Sequence, residues 1–231
     1  MSQSNRAKRG QPAPRQNPMP AILSALVVVA IFIALGLMLA NRPGASQTAA
    51  QPTADAFLAA KKTYSAPPPM TIDPQKSYTV TIATPRGDIV IKLRPDLAPQ
   101  TVNSFVFLAR EGFYDGLTWH RVLSNFMAQG GDPKGDGTGG PGYTVPGEFT
   151  DKVLFDHPGI VAMARPGNDV NGNGSQFFIT TAPYPSLNQQ YTIFGEVTQG
   201  LDVVQGIPLR DPDQGPTTPG EQMLKVTIAE Q

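Results

Sequence analysis

The residue in this sequence best suited to chemistry is an arginine within an apolar, strand-like segment. Arg121 lies in "TWHRVL", where the two-residue period of a β-strand places it on the same face as Trp119 and Leu123. A guanidinium is always charged and offers five N–H donors but no acceptor, so it requires an acceptor from elsewhere. It can stabilise electron density that develops on a reacting atom. The structural alternative is a salt bridge on the outside of the fold.

Two glutamines lie in similar surroundings on other strand-like segments. In "FMAQ" the same period places Gln129 beside Met127, and in "SQFFI" it places Gln176 beside Phe178. Amide side chains can fix the backbone of a bound peptide through their donors and acceptors. With the arginine, these residues from separate strands predict one groove. The competing interpretation for both glutamines is a hydrogen bond within the fold, because buried amides generally have partners.

A glycine-rich segment, "GDPKGDGTGGPG" at residues 131–142, imitates a nucleotide-binding motif. Gly135, Gly137 and Gly140 satisfy the spacing G-x-G-x-x-G. That motif works only where a strand enters the loop and a helix leaves it, because the pyrophosphate binds at the helix N-terminus. The following residues include Pro141 and Pro146, which make a helix there unfavourable. The glycines instead predict a compact loop that lets another backbone come close.

Other kinds of catalytic site are poorly represented. The chain has no cysteine, so it offers no disulfide, thiolate ligand or thiol nucleophile. It lacks the G-x-S-x-G and H-E-x-x-H motifs, and its only histidines are His120 and His157. We therefore expect no metal and no other cofactor. From Lys76 onward, eleven Lys and Arg stand against sixteen Asp and Glu, and this net charge of −5 argues against nucleic acid as a partner.

The first 75 residues differ in composition from the rest. Residues 21–40, "AILSALVVVAIFIALGLMLA", are twenty uncharged residues, enough to cross the roughly 30 Å hydrocarbon core of a membrane as a helix. Residues 1–20 carry four basic residues and only Arg42 follows closely, which predicts a cytoplasmic N-terminus and an exported remainder. The alternative is a cleaved signal peptide and a secreted protein. Residues 41–75, rich in proline and alanine, predict a flexible linker to a domain at residues 76–231.

The domain shows the alternation typical of strands. "YTVTIAT" at residues 78–84 and "DIVIKL" at residues 88–93 flank "PRG" and predict a hairpin. Pro99 can begin an amphipathic helix that ends before Gly112, and "LDVVQGI" predicts a second helix. Further short segments with strand character are "LTWHRVL", "NFMAQGG", "GIVAMAR", "SQFFITT", "YTIFGEV" and "QMLKVTIAE". Many short strands with two helices predict a mainly β protein, a closed antiparallel barrel without exposed edges.

The order of these segments resembles the cyclophilin family of peptidyl-prolyl cis-trans isomerases. The matching stretches are "WHRVLSNFMAQGGD", "GTGG", "GIVAMA", "NGSQFFITT" and "FGEV", at near-family spacing from about Tyr78 to Ala229. The resemblance implies a closed eight-stranded antiparallel β-barrel capped by two α-helices, with the site on an outer face. It also implies that "GTGG" belongs to a loop beside the peptide groove.

The resemblance further implies a role for each candidate residue. Arg121 is the implied catalytic residue, which stabilises the proline nitrogen when the turning peptide bond frees its lone pair. The implied substrate-binding residues are Phe126, Met127, Gln129, Gly137, Ala164, Arg165, Gln176, Phe178, Leu187 and Tyr191. The apolar members of this set could equally be ordinary core residues, since that is where such side chains usually lie.

Three positions depart from the family pattern. Ser186 stands where many members carry tryptophan, Tyr191 where many carry histidine, and Arg165 where asparagine is usual. The first departure lowers the expectation of tight cyclosporin binding. Tyr191 still offers an aromatic face and a hydroxyl, so we expect the pocket to survive.

Together these observations predict a monomeric, membrane-anchored isomerase that acts on proline-containing polypeptides outside the membrane. Peptide bond rotation costs about 18–20 kcal/mol, and the two isomers of an X-Pro bond differ by only about 1 kcal/mol. An isomerase therefore needs no nucleophile, metal or proton shuttle, but must bind the twisted amide better than either planar form. The alternative is a binding module that holds proline-containing peptides and turns over little. Arg121 favours catalysis.

Overall fold

The computed structural model describes residues 63–231, which form a mainly β domain with two α-helices. The predicted basic tail (1–20), the predicted transmembrane helix (21–40) and residues 41–62 of the predicted linker lie outside the described residues. Within residues 63–231, no helix combines the length and the apolar character that a membrane crossing requires.

The strands and helices lie where the sequence pattern predicts them. The strands are β1 Tyr78–Thr84, β2 Gly87–Leu93, β3 Arg121–Leu123, β4 Met127–Gly130, β5 Ile160–Met163, β6 Phe177–Thr180, β7 Ile193–Gln199 and β8 Lys225–Glu230. The α-helices are α1 Pro99–Arg110 and α2 Leu201–Gly206.

The predicted hairpin consists of β1 and β2. Its antiparallel register runs from Thr79 opposite Lys92 to Thr84 opposite Gly87. Every second side chain of β1 is buried, as expected for a strand with one face on the core. The alternation of apolar residues in this part of the sequence is therefore a reliable guide to its structure.

All eight strands belong to one antiparallel sheet, in the order β3-β4-β6-β5-β7-β2-β1-β8. Strands β3 and β8 are the edges, and no strand ladder joins them among residues 63–231. The prediction of a closed barrel is therefore wrong, and the sheet is an open half-barrel. Ahead of the edges, the Trp119 N–H donates to the Glu221 carbonyl at 2.9 Å and the Met223 N–H donates to the Leu117 carbonyl at 2.8 Å. These bonds join irregular segments, so the two edges are held near each other without a continuous ladder.

The first helix begins at Pro99 and ends at Arg110, as predicted. Proline suits the first turn because its fixed φ is helical and its missing N–H would have no partner within the helix. The carboxylate of Glu148 accepts hydrogen bonds from the N–H groups of Gln100 at 3.1 Å and Thr101 at 2.9 Å. This negative charge complements the positive end of the helix dipole and satisfies two N–H groups of the first turn.

Two apolar clusters lie on opposite faces of the sheet. The inner core lies between the sheet and α1, and its members include Ile82, Ile91, Phe105, Trp119, Ala128, Phe177 and Phe194. The groove cluster on the other face contains Met127, Phe155, Ile160, Ala162, Phe178 and Ile193. Neighbours on one strand, such as Phe177 and Phe178, belong to different clusters because successive side chains of a strand point to opposite faces.

Residues 63–72, here called the strap, pack on α1. The Asn103 side-chain carbonyl accepts hydrogen bonds from the N–H groups of Thr71 at 2.9 Å and Ile72 at 3.3 Å. Its amide group donates to the Pro69 carbonyl at 3.0 Å. Ile72 is itself part of the inner core. The linker predicted over residues 41–75 thus includes a C-terminal stretch that packs against the domain.

Candidate active site

A small pocket opens on the face of the sheet that carries the groove cluster. Its volume is about 140 Å³. The side chains and backbone that line it belong to Arg121, Phe126, Met127, Gln129, Ala164, Arg165, Phe178, Leu187 and Tyr191. Strand pairing brings these positions together, because β4 pairs with β3 on one side and with β6 on the other. Every residue that lines the small pocket was singled out from the sequence.

Arg121 lies at the start of β3, half-buried, directly opposite Gln129 of β4. Its guanidinium carbon is 5.8 Å from the ring centroid of Phe126, close enough for a cation–π interaction. Among the described residues, no carboxylate forms an ion pair with Arg121, so the salt bridge considered as its structural alternative is not present there. Neither Arg121 nor Arg165, the second arginine that lines the small pocket, is neutralised by a carboxylate of residues 63–231.

The residues just before Arg121 do not share its surroundings. Trp119 is fully buried in the inner core and packs edge-on against Phe177 at 5.7 Å, so the expectation that it shares a face with Arg121 is wrong. The reason is that β3 begins only at Arg121, and the strand period does not extend back to residue 119. His120 is also buried, and burial lowers the pKa of its imidazole. The histidine is therefore neutral near pH 7 and adds no charge beside Arg121.

The floor of the small pocket is apolar. Met127 of β4 and Phe178 of β6 are buried members of the groove cluster, and Phe178 stacks on Phe155 with ring centroids 6.0 Å apart. These side chains line the pocket and pack with the cluster beneath it. Met127 and Phe178 are therefore both buried core residues and pocket residues, so the two interpretations offered by the sequence hold together.

The rim of the pocket is built from turns. Phe126 lies between β3 and β4, and its ring lies 4.4 Å from that of Tyr184, measured between centroids. Leu187 ends a single turn of 3-10 helix at Pro185–Leu187. The rim side chains are half-buried or exposed, in contrast to the floor, so they are accessible to a ligand.

The two glutamines form a chain of hydrogen bonds. The Gln129 amide donates to the Gln176 side-chain carbonyl at 2.9 Å. The Gln176 amide donates in turn to the main-chain carbonyls of Gly137 and Gly139, each at 2.9 Å. Both glutamines therefore hold the glycine-rich loop against the sheet, as the structural interpretation predicts, while they also line the cavities beside it.

A large pocket of about 670 Å³ adjoins the small one. Gln129, Ala164 and Arg165 line both cavities, so the two pockets lie side by side. Gly137 and Gln176, the two remaining candidates from the sequence, line the large pocket. An extended chain placed across the small pocket would therefore continue into the large one.

The glycine-rich loop turns around one buried carboxylate. Asp132 accepts hydrogen bonds from the N–H groups of Lys134 at 2.8 Å, Asp136 at 3.1 Å and Gly137. A Cβ on Gly139 would lie 2.0 Å from an Asp132 carboxylate oxygen, so this position requires glycine. In the described chain no helix follows the loop before β5, so the segment lacks the helix N-terminus that a dinucleotide would need.

Comparison with known families agrees with this geometry. The model of the family described as "Cyclophilin type peptidyl-prolyl cis-trans isomerase/CLD" matches residues 79–229. The chain belongs to the cyclophilin family. Its enzymatic activity is that of the family, the cis-trans isomerisation of peptidyl-prolyl bonds.

Individual cyclophilins match over most of the domain. Peptidyl-prolyl cis-trans isomerase A of Mycobacterium tuberculosis is 43% identical over 169 residues, which cover 65% of this chain and 92% of that protein. Peptidyl-prolyl cis-trans isomerase B of Bacillus subtilis is 49% identical over 119 residues, 52% of this chain and 82% of that protein. Among solved structures, a cyclophilin type isomerase of Cryptosporidium parvum superposes with a TM-score of 0.61 at 31% identity, covering 67% of this chain and 99% of that chain.

Two of the departures from the usual cyclophilin pattern contact each other. The guanidinium carbon of Arg165 lies 4.9 Å from the ring centroid of Tyr191, in cation–π geometry. Arg165 also donates to the main-chain carbonyls of Gln190 at 3.1 Å and Gly167 at 2.5 Å. The arginine thereby links the segment after β5 to the segment before β7 at the edge of the small pocket. Ser186, the third departure, is exposed on the 3-10 turn.

Several residues of this cyclophilin site were not identified from the sequence, among them Asp132, Tyr184 and Thr63. Asp132 follows a Gly-Gly pair and precedes a turn-rich stretch, which is a usual position for an aspartate that bonds neighbouring N–H groups, so a signal existed. Tyr184 stacks on the rim, and Thr63 of the strap lines the large pocket. Nothing in the local sequence marks either of these two, because their contacts come from residues far away in the chain.

Proposed function

We propose that this cyclophilin is anchored in the membrane and accelerates X-Pro rotation in exported polypeptides, with Arg121 as the catalytic residue. The observation that carries the catalytic role is the position of the Arg121 guanidinium at the edge of an apolar pocket of about 140 Å³, without an ion-pair partner among the described residues. Arg165, the other arginine of this pocket, donates instead to the main-chain carbonyls of Gln190 and Gly167. The apolar residues of the small pocket hold the proline ring. The charge of Arg121 lies beside the nitrogen of the bond that turns.

The chemistry requires only one directed interaction. In the planar amide, conjugation delocalises the nitrogen lone pair and gives the rotation barrier of about 18–20 kcal/mol. Halfway through rotation that conjugation is lost, and the nitrogen becomes a hydrogen-bond acceptor. A guanidinium donor placed there stabilises the twisted state more than either planar state, which lowers the barrier.

The remaining site residues bind and orient the chain. Phe126, Met127, Phe178 and Leu187 provide the apolar surface for the ring. Main-chain groups at Ala164 and Arg165, together with Gln129 and Gln176, face the backbone of an extended substrate, with Gly137 at the far end. Tyr191 adds an aromatic wall. The shared lining residues of the two pockets support this division of roles, since adjacent pockets can hold one segment of substrate.

A peptide exchange assay on the full-length protein tests the catalytic role. We expect Arg121→Ala to lower the catalysed rate about a hundredfold, which corresponds to about 2.7 kcal/mol of lost transition-state stabilisation. Arg94→Ala is the matched control, because Arg94 pairs with Asp96 on the exposed surface and should leave the rate unchanged. If wild type and Arg121→Ala are equally slow but both bind the peptide, the protein acts as a binding module instead.

The proposed location rests on the sequence of residues 1–40. A twenty-residue uncharged segment with basic residues on its N-terminal side supports a single-pass anchor with the isomerase domain outside the cytoplasm. We also propose a monomer whose partners are proline-containing polypeptides. The intact mass of the mature protein tests the anchor. A mass of 24.6 kDa, that of the whole chain, supports it. A smaller mass that fits a chain starting after about residue 40 shows a cleaved signal peptide.

A further inference from the structure

The strap reaches from the middle of α1 to the edge of the large pocket. Near its N-terminal end, the Tyr64 N–H donates to the Pro141 carbonyl of the glycine-rich loop at 2.8 Å. The Tyr64 ring packs edge-on against Phe107 of α1 at 5.0 Å and against Tyr143 at 6.3 Å. Tyr64 thus joins the strap to the helix and to the loop at once, and this contact fixes the residue before it, Thr63.

The loop is shaped to receive the strap. Gly142 has a φ of +93°, and a Cβ there would lie 2.5 Å from both the Thr63 methyl carbon and the Tyr64 carbonyl oxygen. Any other residue at position 142 would push the strap away from the loop. The loop backbone therefore packs directly against residues 63 and 64.

The other end of the strap is held as firmly. Asn103 is only 3% exposed although it lies within α1, and its side chain forms its hydrogen bonds with strap residues. A buried amide in a helix is unfavourable unless its donors and acceptor are satisfied. Here they are satisfied by the strap backbone, so the helix carries a polar residue that serves to hold the strap.

The fixed position of Thr63 places it in the wall of the large pocket. We propose that the strap is part of the substrate site, with Thr63 as a specificity-determining contact for a large side chain near the substrate proline and with Tyr64 as its positioning residue. This inference rests on the proposed function, because it requires the substrate proline to occupy the small pocket. The segment that connects the domain to the N-terminal part of the chain then also helps to select the substrate.

Isomerisation of matched peptides by the full-length protein tests this. All peptides contain the same X-Pro bond. At each position within three residues of the proline, one peptide carries glycine and its matched partner carries leucine. The measured quantity is the ratio of kcat/KM for the leucine and glycine peptides at each position. We expect wild type to prefer leucine at the position whose side chain reaches the large pocket.

Variants of the strap should change this ratio. Thr63→Gly removes the contact, and Tyr64→Ala releases the residue that positions it. Each should lower the leucine preference about threefold, as expected for the loss of a few tens of Å² of apolar contact. Thr63→Val and Tyr64→Phe keep the wall and should retain the wild-type ratio. Met70→Ala, in the same strap but 50% exposed, is the matched control and should also retain it.

Two results would overturn the inference. One is a leucine-to-glycine ratio that stays at the wild-type value in Thr63→Gly, a variant that alters only one exposed side chain. The other is equal ratios at all positions in wild type. If wild type did not isomerise even the glycine peptides faster than Arg121→Ala, the proposed catalytic role would fail instead, so the two failures are distinguishable.

Discussion

The two faces of strands β4 and β6 carry similar apolar side chains, but one face packs in the inner core and the other borders the small pocket. On the inner face, Phe177 packs against Phe105, Tyr114 and Trp119 and is inaccessible to solvent. On the outer face, the next residue, Phe178, packs on the groove cluster and lines the small pocket. The same residue type at adjacent positions thus packs in the core on one face and, on the other, lines the pocket proposed to bind the substrate. Burial alone does not distinguish a core residue from a site residue in this fold.

Alanine at each of these two phenylalanines tests the comparison most strongly. We expect Phe177→Ala to lower the free energy of unfolding by about 3–5 kcal/mol, because it leaves a cavity among three aromatic rings, and to leave kcat/KM of the folded fraction nearly unchanged. Phe178→Ala should cost less stability, since its ring already borders a cavity, but should lower kcat/KM about tenfold. Urea unfolding and peptide isomerisation at low temperature measure both quantities. Equal losses of kcat/KM in the two variants would show that the outer face is no more important for catalysis than the inner face.

The inner core extends to the strap through one buried amide, and this makes Asn103 the next most sensitive position. Asn103→Ala leaves the N–H groups of Thr71 and Ile72 and the carbonyl of Pro69 without their partner. We expect a loss of about 1–3 kcal/mol in the free energy of unfolding. Asn103→Asp keeps the acceptor but replaces the amide donor with a buried carboxylate that faces the Pro69 carbonyl, so it should lose at least as much. An Asn103→Ala protein as stable as wild type would show that these hydrogen bonds to the strap contribute nothing to stability.

On the groove face, the contact between Arg165 and Tyr191 should contribute less to the free energy of unfolding than Asn103 does, but its contribution should be measurable. Arg165→Asn and Tyr191→His restore the residues usual in cyclophilins, singly and together. We expect a coupling energy of about 0.5–1 kcal/mol between the two sites in a double-mutant cycle of unfolding free energy, as for an accessible cation–π pair. Strictly additive effects would mean that the two departures are independent.

The smallest effect is expected at the surface, where His157 bonds Asp156 at 2.6 Å and Glu196 at 2.9 Å. These hydrogen bonds, first that to Asp156, raise the pKa of His157 above its usual value. The contribution to stability is therefore full below about pH 6.5, the unfolded pKa, and is lost as the pH rises through the higher folded pKa. Relative to His157→Gln, wild type should lose a few tenths of a kcal/mol between about pH 6 and pH 8, because the pair is exposed. A parallel pH dependence in both proteins would contradict this.

Local patterns in the sequence were sufficient for much of the fold. The hairpin β1–β2 and the helix α1 are specified by alternation, by Pro99 and by nearby turn residues, and the structure confirms them. The side of the sheet on which Arg121 lies is harder to predict. The two-residue period of a strand places Trp119 on the same side, but β3 begins only at Arg121. Alternation gives a face only where the strand is continuous.

The features that sequence reasoning missed depend on contacts between distant residues. Whether the barrel closes depends on how residues 116–119 meet residues 221–223, about a hundred positions later. The strap looks like a linker because it is rich in proline, and its contacts with Asn103, Phe107 and Pro141 cannot be read from the local sequence. The site residues themselves were predicted by resemblance to a family, and the structure places all of them in two adjoining pockets.

We propose that Arg121 stabilises the twisted peptide bond more than it stabilises the planar, bound substrate. The most direct test measures kcat and ground-state peptide affinity separately in Arg121→Ala, by NMR exchange and titration. We expect kcat to fall about a hundredfold while the dissociation constant changes less than about threefold. An unchanged kcat with an affinity weakened a hundredfold would contradict it, because Arg121 would then bind both states equally.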